Sequence, residues 1–350
     1  MKNVAIIPGD GIGAEVVREA LKVLEAARTR FGGDLAIREW DLGAERYLRD
    51  GVTITDEEFA TLAQADGILL GAMGDPRVPS NVHARDILLG LRFRLDLYVN
   101  YRPSFLLHPS LCPLKGFEER PIRIEIFREN TEDLYVDLGG RFRQGTPHEV
   151  ALQESIHTWH GVERIVRAAF EHAQARGRGR VTLVDKANAM PSAGGLWRRV
   201  FREVGEEFTG IDRDMMYVDA VAMDLVRRPD RYEVLVTSNL FGDILSDLAA
   251  GITGGLGLAP SANVHPGRIG LFEPVHGSAP DIVGQGVANP LGAIRSAALL
   301  CEHLGLIEVA EVMETAARAS LAEGVTTPDL GGSSSTAQVG DWITERVEAG

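Results

Sequence analysis

Residues 234–250 read VLVTSNLFGDILSDLAA, an apolar run followed by a turn and an amphipathic segment. This order predicts a buried strand at 234–237 that leads into a helix at 243–250. Similar apolar runs alternate with helical patterns along the chain. The other predicted strands are 4–7, 67–70, 122–127 and 181–184, and the other predicted helices are 15–29, 161–175, 193–206 and 291–304. This alternation predicts an α/β protein with a largely parallel core sheet.

Asp243 and Asp247 are four residues apart in the predicted helix, so both carboxylates lie on one helical face. Like charges at this spacing destabilise a bare helix by a few tenths of a kcal/mol. A cation between them would remove that repulsion, and carboxylate oxygens suit Mg²⁺ or Mn²⁺. The alternative is a solvated acidic face near a helix N-terminus, where Asp is favoured in any case.

The composition of the 350 residues is ordinary for a globular protein, with 45% hydrophobic and 25% charged residues. The net charge of −14 argues against nucleic acid and anionic membrane surfaces as partners. No apolar stretch approaches the roughly 18 residues that a membrane-spanning helix needs. Cys112 and Cys301 are far apart and fit neither a disulfide framework nor a metal site. We therefore expect a cytoplasmic protein with no nucleic-acid or membrane partner.

The first turn contains a glycine pattern that resembles a dinucleotide motif. Gly9, Gly11 and Ala14 match the loose pattern G-x-G-x-x-G/A after the first strand. The motif also requires an acidic residue about 20 residues further on, and 28–33 contain none. We therefore interpret the glycines as a tight turn and not as a Rossmann pyrophosphate site.

Three arginines are candidates for binding a carboxylate substrate: Arg92, Arg102 and Arg128. Guanidinium groups grip carboxylates in pairs of hydrogen bonds, so convergent arginines indicate a di- or tricarboxylate. The alternative is salt bridging at the surface. Lys186 follows a predicted strand and is a candidate general base, and Tyr135 is a candidate proton donor. Solvent exposure of Lys186 and a structural hydrogen bond from Tyr135 are the corresponding alternatives.

The segment 272–281, followed by Asn289, is a long polar loop with two prolines that restrict its backbone. Small residues within it would let a flat ligand approach. Asp281 would accept hydrogen bonds from a ribose diol and repel a 2′-phosphate, which favours NAD over NADP. A purely structural loop is the alternative, although loops of this length inside compact domains are usually functional.

Taken together, these segments resemble the β-decarboxylating dehydrogenases, a family that includes isopropylmalate, isocitrate, homoisocitrate and tartrate/D-malate dehydrogenases. The resemblance covers nearly the whole chain. The matching segments are residues 9–13, 91–92, 96–98, 100–103, 128–132, 185–188, 217–220, 239–247, 273–281 and 288–290.

The resemblance implies a fold and an assembly. The expected fold is α/β and isopropylmalate-dehydrogenase-like, not Rossmann, with two α/β domains that share a large mixed sheet. The first, cofactor-binding domain would be discontinuous and combine residues 1–100 with 255–350. Residues 101–254 would form the dimerisation and substrate domain, with an arm hairpin at about 133–155. The expected assembly is a homodimer with shared active sites.

The resemblance also implies the chemistry, an NAD- and metal-dependent oxidative decarboxylation of a malate-type 2-hydroxy diacid to a 2-oxo acid and CO₂. Asp243 and Asp247 of one subunit and Asp219 of the other would hold Mg²⁺ or Mn²⁺, and K⁺ is a further candidate cation. Lys186 of the second subunit would remove the proton of the substrate hydroxyl, and Tyr135 would protonate the enol. The implied substrate-binding residues are Arg92, Arg102, Arg128, Leu88, Leu89 and Asn188. The implied NAD-binding residues are His276, Gly277, Ser278, Ala279, Asp281 and Asn289.

Residues near Arg92 bear on which 3-substituted malate is used. Leu88 and Leu89 are apolar where isocitrate dehydrogenases carry Ser and Asn, which disfavours isocitrate. Paired leucines are typical of isopropylmalate dehydrogenases and would pack against a branched alkyl group. The segment 128–132 and Arg85 depart from the isopropylmalate pattern, and residues 112–114, 138–141 and 153–155 look more like the tartrate/D-malate branch. Residues 184–188 and 219–223, in contrast, look more like the isopropylmalate type.

Other possibilities stay open. Arg85 and His83 would favour homoisocitrate or another anionic substituent if they faced the substrate, and we expect both to be surface-exposed. Asp133 stands where Gly is usual in the family, next to the segment that contains Tyr135. A non-catalytic regulatory subunit is an alternative of a different class, but Tyr135, Lys186 and the aspartates are all present.

Overall fold

The computed structural model describes residues 1–117 and 120–350. The strands in these residues are β1 (Lys2–Gly9), β2 (Leu35–Glu39), β3 (Gly67–Ala72), β4 (Val99–Phe105), β5 (Arg123–Glu129), β6 (Gly139–Phe142), β7 (Val150–Gln153), β8 (Arg180–Asp185), β9 (Asp212–Tyr217), β10 (Val234–Thr237), β11 (Pro260–Val264) and β12 (Gly270–Pro274). The helices are α1 (Gly13–Phe31), α2 (Ala44–Asp50), α3 (Asp56–Leu62), α4 (Val82–Ala84), α5 (Gly90–Arg94), α6 (Trp159–Ala175), α7 (Pro191–Gly205), α8 (Val218–Arg227), α9 (Asn239–Thr253), α10 (Leu291–His303), α11 (Ile307–Ala322) and α12 (Thr336–Ala349). None of the described helices is both long and apolar enough to cross a membrane.

Each of the strands and helices predicted from the sequence is present, with boundaries that differ by a few residues. The largest difference concerns α9, which begins at Asn239 instead of residue 243. Its first turn is stabilised from outside the helix, because the Leu240 N–H donates to Asp133 Oδ2 at 2.9 Å. That long-range hydrogen bond satisfies one of the free N–H groups of the helix end, and a local sequence pattern cannot reveal it.

The chain divides into two compact units, and the first comprises Met1–Leu97, Phe105–Arg120 and Ala250–Gly350. Its strands follow the order β2-β1-β3-β12-β11. β1 is parallel to β2 and β3, and β12 is parallel to β3 but antiparallel to β11. The long helices α1, α10, α11 and α12 pack against one another, and α1 and α10 contact this sheet. The segment 105–120 belongs to this unit, although the expected domain division assigns it to the other domain.

The second unit comprises Tyr98–Ser104 and Pro121–Ala249. Its strands follow the order β4-β5-β10-β8-β9, and β5, β10, β8 and β9 are parallel. Thr237, at the end of β10, lies beside Arg128 on one neighbour and Val184 on the other. The carboxyl ends of these strands therefore meet at one edge of the sheet, where ligands of open α/β sheets bind. The α/β fold with a mixed sheet that the sequence predicts is confirmed.

The hairpin formed by β6 and β7 lies inside the predicted arm segment, 133–155. Phe142 pairs with Val150, and Gly140 pairs with Leu152, so these residues share one face of the hairpin. The side chains of Phe142 and Leu152 are 62% and 63% exposed. A two-stranded hairpin with an apolar face is marginally stable in water by itself, so this face is suited to a partner surface.

Candidate active site

The predicted aspartate pair lies at the centre of a cluster of side chains in the second unit. Asp243 Oδ1 contacts Arg128 Nη1 at hydrogen-bond distance and lies 3.3 Å from Arg102 Nη1. Asp247 Oδ1 is 3.5 Å from the same Arg102 nitrogen. Tyr135 donates its hydroxyl to Asp243 Oδ2 at 2.9 Å. The structure therefore brings together five residues that the sequence predicted for metal, substrate and proton transfer.

Strand β5 and helix α9 position Arg128 in this cluster. Its side chain is almost completely buried and passes beneath Gly242, where a Cβ atom would lie 2.6 Å from Arg128 Cβ. Any larger residue at Gly242 would displace the arginine. Arg128 Nε donates to Asn239 Oδ1 at 2.8 Å, and its guanidinium lies 5.0 Å from the centre of the Tyr135 ring.

Asn239 and Ser246 complete the surroundings of the two arginines, and the sequence reasoning missed both. Ser246 Oγ accepts a hydrogen bond from Arg102 Nη1 at 2.8 Å. Asn239 lies four residues before Asp243, so the helical spacing that linked the two aspartates also indicated Asn239. The same helical face thus supplies both the carboxylates and the groups that orient Arg102 and Arg128.

The electrostatics of the cluster favour a protonated tyrosine next to the carboxylates. Burial raises the pKa of Tyr135, and the nearby Asp243 raises it further, against the opposing effect of Arg128. Burial also raises the pKa of Asp247, with Arg102 lowering it and Asp243 raising it. Tyr135 therefore holds its proton near neutral pH and can donate it.

The donor set of Asp243 and Asp247 fits a hard divalent cation. Both carboxylates are partly accessible, with side chains 38% and 53% exposed, and their oxygens are the ligands that Mg²⁺ and Mn²⁺ prefer. The described residues of one chain contain no group of three acidic, His or Cys side chains arranged to hold a metal. Asp219, the third predicted ligand, instead contacts Lys186.

Lys186 and Asp219 form a second group in the same unit. Lys186 Nζ lies 2.6 Å from Asp219 Oδ1, and this hydrogen bond is the main cause of the lowered pKa of Asp219. Lys186 also borders a small cavity of about 20 Å³ together with His157 and Trp197. Asn188, two residues further on, is exposed in the turn after β8.

The substrate residues predicted before β4 lie in the first unit. Arg92 is buried and donates Nη2–H to Glu273 Oε1 at 2.6 Å, while its buried Nε has no hydrogen-bond partner among the described residues. That free donor fits an anionic ligand. Leu88 packs against the hydrophobic core of this unit, and Leu89 is partly buried one turn before Arg92. Both leucines are therefore only partly buried.

The predicted nucleotide loop packs against the first turn of the chain, within the first unit. Ser278 is buried, and its carbonyl accepts the Ile12 N–H at 2.9 Å. A Cβ atom on Gly11 would lie 2.0 Å from the Ser278 carbonyl oxygen, and Gly11 has a φ of +58°. The glycine pattern of this turn thus serves backbone packing, which agrees with the prediction that it is not a Rossmann site.

His276 offers a donor set that fits a nucleotide. Its Nδ1 lies 3.0 Å from the Gly277 carbonyl, so Nδ1 carries the proton and Nε2 is an acceptor. The Nε2 atom is buried without a partner among the described residues. Burial lowers the pKa of His276, which keeps the ring neutral. Gly277 borders open space, whereas Ala279 has a φ of +39° and Asp281 is exposed.

Asn289 is already engaged within the protein. Its Oδ1 accepts the Leu291 N–H at 3.0 Å, next to the start of α10, and its Nδ2 donates to Asp329 at 3.0 Å. These bonds fix the end of the loop beside His276, whose pKa is also influenced by the Asp329 charge. Asn289 thus has a structural role whether or not it contacts a ligand.

The expectation that His83 is exposed is wrong, whereas Arg85 is exposed as expected. His83 is completely buried, and its Nε2 lies 2.7 Å from Asp10 Oδ2. Asp10 also accepts the N–H groups of Ala44 and Gly74 at 2.6 and 2.7 Å. The tertiary contact with Asp10, a residue of the first turn, determines the position of His83.

Comparison with known proteins gives one consistent family. The model of the isocitrate/isopropylmalate dehydrogenase family matches residues 3–343. A 3-isopropylmalate dehydrogenase of Beutenbergia cavernae is 51% identical to this protein, in an alignment that covers 99% of this chain and 98% of the relative's chain. A 3-isopropylmalate dehydrogenase of Corynebacterium urealyticum is 50% identical, in an alignment that covers 99% of this chain and 100% of the relative's chain.

Solved structures agree with the sequence comparison. An isocitrate dehydrogenase from Methylococcus capsulatus is 36% identical, with a TM-score of 0.90 over 99% of this chain and 100% of its own. A β-decarboxylating dehydrogenase from Thermococcus kodakarensis is 38% identical, with a TM-score of 0.82, and the match covers 100% of this chain and 97% of the other chain. The chain therefore belongs to the isocitrate/isopropylmalate dehydrogenase family.

Proposed function

We propose that this protein catalyses the NAD-dependent oxidative decarboxylation of 3-isopropylmalate, with Mg²⁺ or Mn²⁺ as the metal. The observation that carries the proposal is the cluster around Asp243, which joins two guanidinium groups, a second carboxylate and a protonated tyrosine. Relatives about 50% identical over the full chain are 3-isopropylmalate dehydrogenases.

Each group of the cluster has a role in this chemistry. A bound Mg²⁺ or Mn²⁺ would supply Lewis acidity toward the hydroxyl and adjoining carboxylate of the substrate. Arg102 and Arg128 hold substrate carboxylates, since each is fixed by hydrogen bonds to α9. Tyr135 supplies the proton that the product carbon gains after CO₂ leaves, because its raised pKa keeps the hydroxyl protonated.

The active site is shared between two copies of the chain. Asp243 and Asp247 form one group, and Lys186 and Asp219 form another, each held together by contacts within one chain. In our proposal the second group completes the site of the partner subunit. Lys186, as the neutral amine, then accepts the proton of the substrate hydroxyl, and the ammonium group that forms stays paired with Asp219.

The exposed apolar residues of the second unit support a homodimer. Phe142, Val150 and Leu152 on one face of the hairpin are exposed in the part of the chain that the structure describes, and Ile244 on α9 is 55% exposed. Met223 on α8 is also 55% exposed. Because α8 carries Asp219 and α9 carries both other aspartates, a dimer that buries these side chains would bring the metal ligands of two subunits together.

For the cofactor we propose NAD, bound by the loop 276–281 of the first unit. The unpartnered His276 Nε2 is an acceptor suited to an adenine amino group. The exposed Asp281 provides an acceptor for a ribose diol and would repel a 2′-phosphate. A kcat/KM with NADP equal to or better than that with NAD would contradict this part of the proposal.

The identity of the substrate is tested by a panel of NADH-formation assays with Mn²⁺ and Mg²⁺. The panel contains 3-isopropylmalate, D-malate, L-tartrate, homoisocitrate and isocitrate. We expect the highest kcat/KM with 3-isopropylmalate, because an alkyl group suits the apolar Leu89. A preference for D-malate or tartrate would assign the protein to the tartrate/D-malate branch. A preference for homoisocitrate or isocitrate would indicate a positively charged side chain that binds the anionic C3 substituent. No turnover with any of these acids would indicate a regulatory subunit.

A further inference from the structure

Asp133 has a backbone conformation that side-chain-bearing residues rarely adopt. Its φ is +69° and its ψ is −147°, a region populated almost only by glycine. The residue is nonetheless buried, and its N–H donates to the Ile156 carbonyl at 2.8 Å, where the two residues form an isolated β-bridge. Such strain persists only where the surrounding contacts require it, so the side chain of Asp133 has a specific task.

Both carboxylate oxygens of Asp133 accept hydrogen bonds. Oδ2 accepts the Leu240 N–H at 2.9 Å, in the first turn of α9. Oδ1 accepts the hydroxyl of Ser155 at hydrogen-bond distance. A carboxylate at this position satisfies a free N–H group of the helix end and interacts favourably with the helix dipole. Asp133 therefore connects the segment before Tyr135 to the helix that carries Asp243 and Asp247.

A chain of hydrogen bonds orients this carboxylate. Trp197 Nε1, which can only donate, lies 3.2 Å from His157 Nδ1, so Nδ1 is the acceptor of the ring. The proton is then on Nε2, which lies 2.7 Å from Ser155 Oγ and donates to it. The Ser155 hydroxyl hydrogen is left for Asp133. Burial lowers the pKa of His157, which agrees with a neutral ring.

We propose that Asp133 is a positioning residue for the active site. Its carboxylate holds the first turn of α9, and with it Asp243 and Asp247, in register with Tyr135, two residues after Asp133. The inference rests on the proposed function, because it takes the two aspartates of α9 as the metal ligands. Asp133 does not contact the reacting groups; it acts through the helix end.

Substitution of Asp133 separates this role from a merely structural one. Asp133→Gly removes the helix contact and also relieves the backbone strain, so we expect an unfolding midpoint within a few degrees of the wild type. The dissociation constant for Mn²⁺, measured from the electron paramagnetic resonance signal of free Mn²⁺, should rise about tenfold, since loss of a group that orients metal ligands commonly lowers metal affinity by about 10- to 100-fold. The KM for Mn²⁺ should rise similarly, while saturating Mn²⁺ restores kcat to within about threefold.

Two further variants make the comparison specific. Asp133→Asn keeps an oxygen acceptor for the Leu240 N–H and tolerates positive φ, so it should bind Mn²⁺ within about threefold of the wild type. Asp137→Gly relieves positive φ at an exposed residue in the same segment, at φ +57°, without touching the helix end, and should leave Mn²⁺ affinity unchanged.

The outcomes distinguish this inference from the proposed function. Wild-type Mn²⁺ affinity and KM in Asp133→Gly, with an active wild-type enzyme, would overturn the positioning role alone. A wild-type protein that neither binds Mn²⁺ nor forms NADH would overturn the proposed function and the role of Asp133 with it. If Asp133→Gly does not fold, Ser155→Ala replaces it, and a rise of about two- to fivefold in the Mn²⁺ dissociation constant is expected from the loss of one hydrogen bond to the carboxylate. Unchanged affinity in Ser155→Ala would then contradict the inference.

Discussion

Lys186 Nζ lies 2.6 Å from Asp219 Oδ1 within one chain. The remaining proposed metal ligands, Asp243 and Asp247, are held separately by contacts with Arg102. One chain thus contains two partial groups. Lys186 and Asp219 supply the proposed base and one metal ligand, and Asp243 and Asp247 supply two metal ligands. A second copy of the chain is the simplest way to combine them.

Replacement of Asp247 with Asn should abolish metal-dependent turnover without affecting assembly. The amide removes a negative charge and one oxygen ligand, so we expect NADH formation to fall at least about 100-fold at saturating Mn²⁺. Light scattering should show an unchanged molecular mass. Asp34→Asn, an equivalent change at an exposed residue of the first unit, is the control. Wild-type activity in Asp247→Asn would overturn the ligand assignment.

Tyr135→Phe tests the proton donor. The variant keeps the ring beside the Arg128 guanidinium but lacks the hydroxyl that contacts Asp243. We expect kcat to fall about 100-fold or more, as is usual for loss of a general acid, with a smaller change in the KM for the substrate. Steady-state assays at several Mn²⁺ concentrations measure both. A variant with normal kcat would show that another group delivers the proton.

The apolar face of the hairpin should determine dimerisation. Leu152→Lys places a charge on the face shared by Phe142 and Val150, whereas Ala151→Lys places the same charge on the opposite face. Burying an unpaired ammonium group in an interface is strongly unfavourable, so Leu152→Lys should be monomeric at micromolar concentration and inactive. Ala151→Lys should remain dimeric in sedimentation velocity experiments. Equal behaviour of the two variants would exclude the hairpin from the interface.

A buried group at the other end of β5 should contribute to stability in a pH-dependent way. Glu125 accepts hydrogen bonds from Tyr101, His172 and Arg178 at 2.8, 2.9 and 2.6 Å. Burial raises its pKa, but the hydrogen bonds from His172 and Arg178 outweigh burial and lower it to about 2. Because the folded-state pKa is below the unfolded value, Glu125 stabilises the protein fully above about pH 4.5, and this contribution is lost as the pH falls toward 2.

Glu125→Gln should therefore lower the free energy of unfolding at pH 7 by a few kcal/mol. The difference from the wild type should narrow between pH 4.5 and 2. Urea unfolding followed by circular dichroism at several pH values measures this difference. A constant difference across that range would show that Glu125 is not the group that titrates.

The sequence predicted the main alternation of strands and helices and five residues of the cluster around Asp243, for different reasons. Apolar periodicity predicted the strands and helices because burial produces it directly. Helical spacing predicted that Asp243 and Asp247 lie on one face of a helix. The apolar runs before Arg128 and Lys186 predicted that both residues lie at strand ends. These are local relationships, which a pattern can express.

Contacts between residues that are far apart in the sequence could not be predicted from local patterns. The burial of His83 depends on Asp10, and the early start of α9 depends on Asp133. In the sequence, Asp133 is distinguished only by standing where the family usually has glycine. Its task became visible once the structure placed its carboxylate at the helix end, because a hydrogen bond between residues over 100 positions apart leaves no periodic signal.

A heterodimer of two inactive variants tests the shared active site most directly. Lys186→Ala retains Asp247, and Asp247→Asn retains Lys186, so a dimer with one subunit of each kind contains one intact site. Purified through two different affinity tags, this heterodimer should have about half of the wild-type activity, since a two-fold dimer has two equivalent sites. Each homodimeric variant should be inactive. An inactive heterodimer would contradict the shared site.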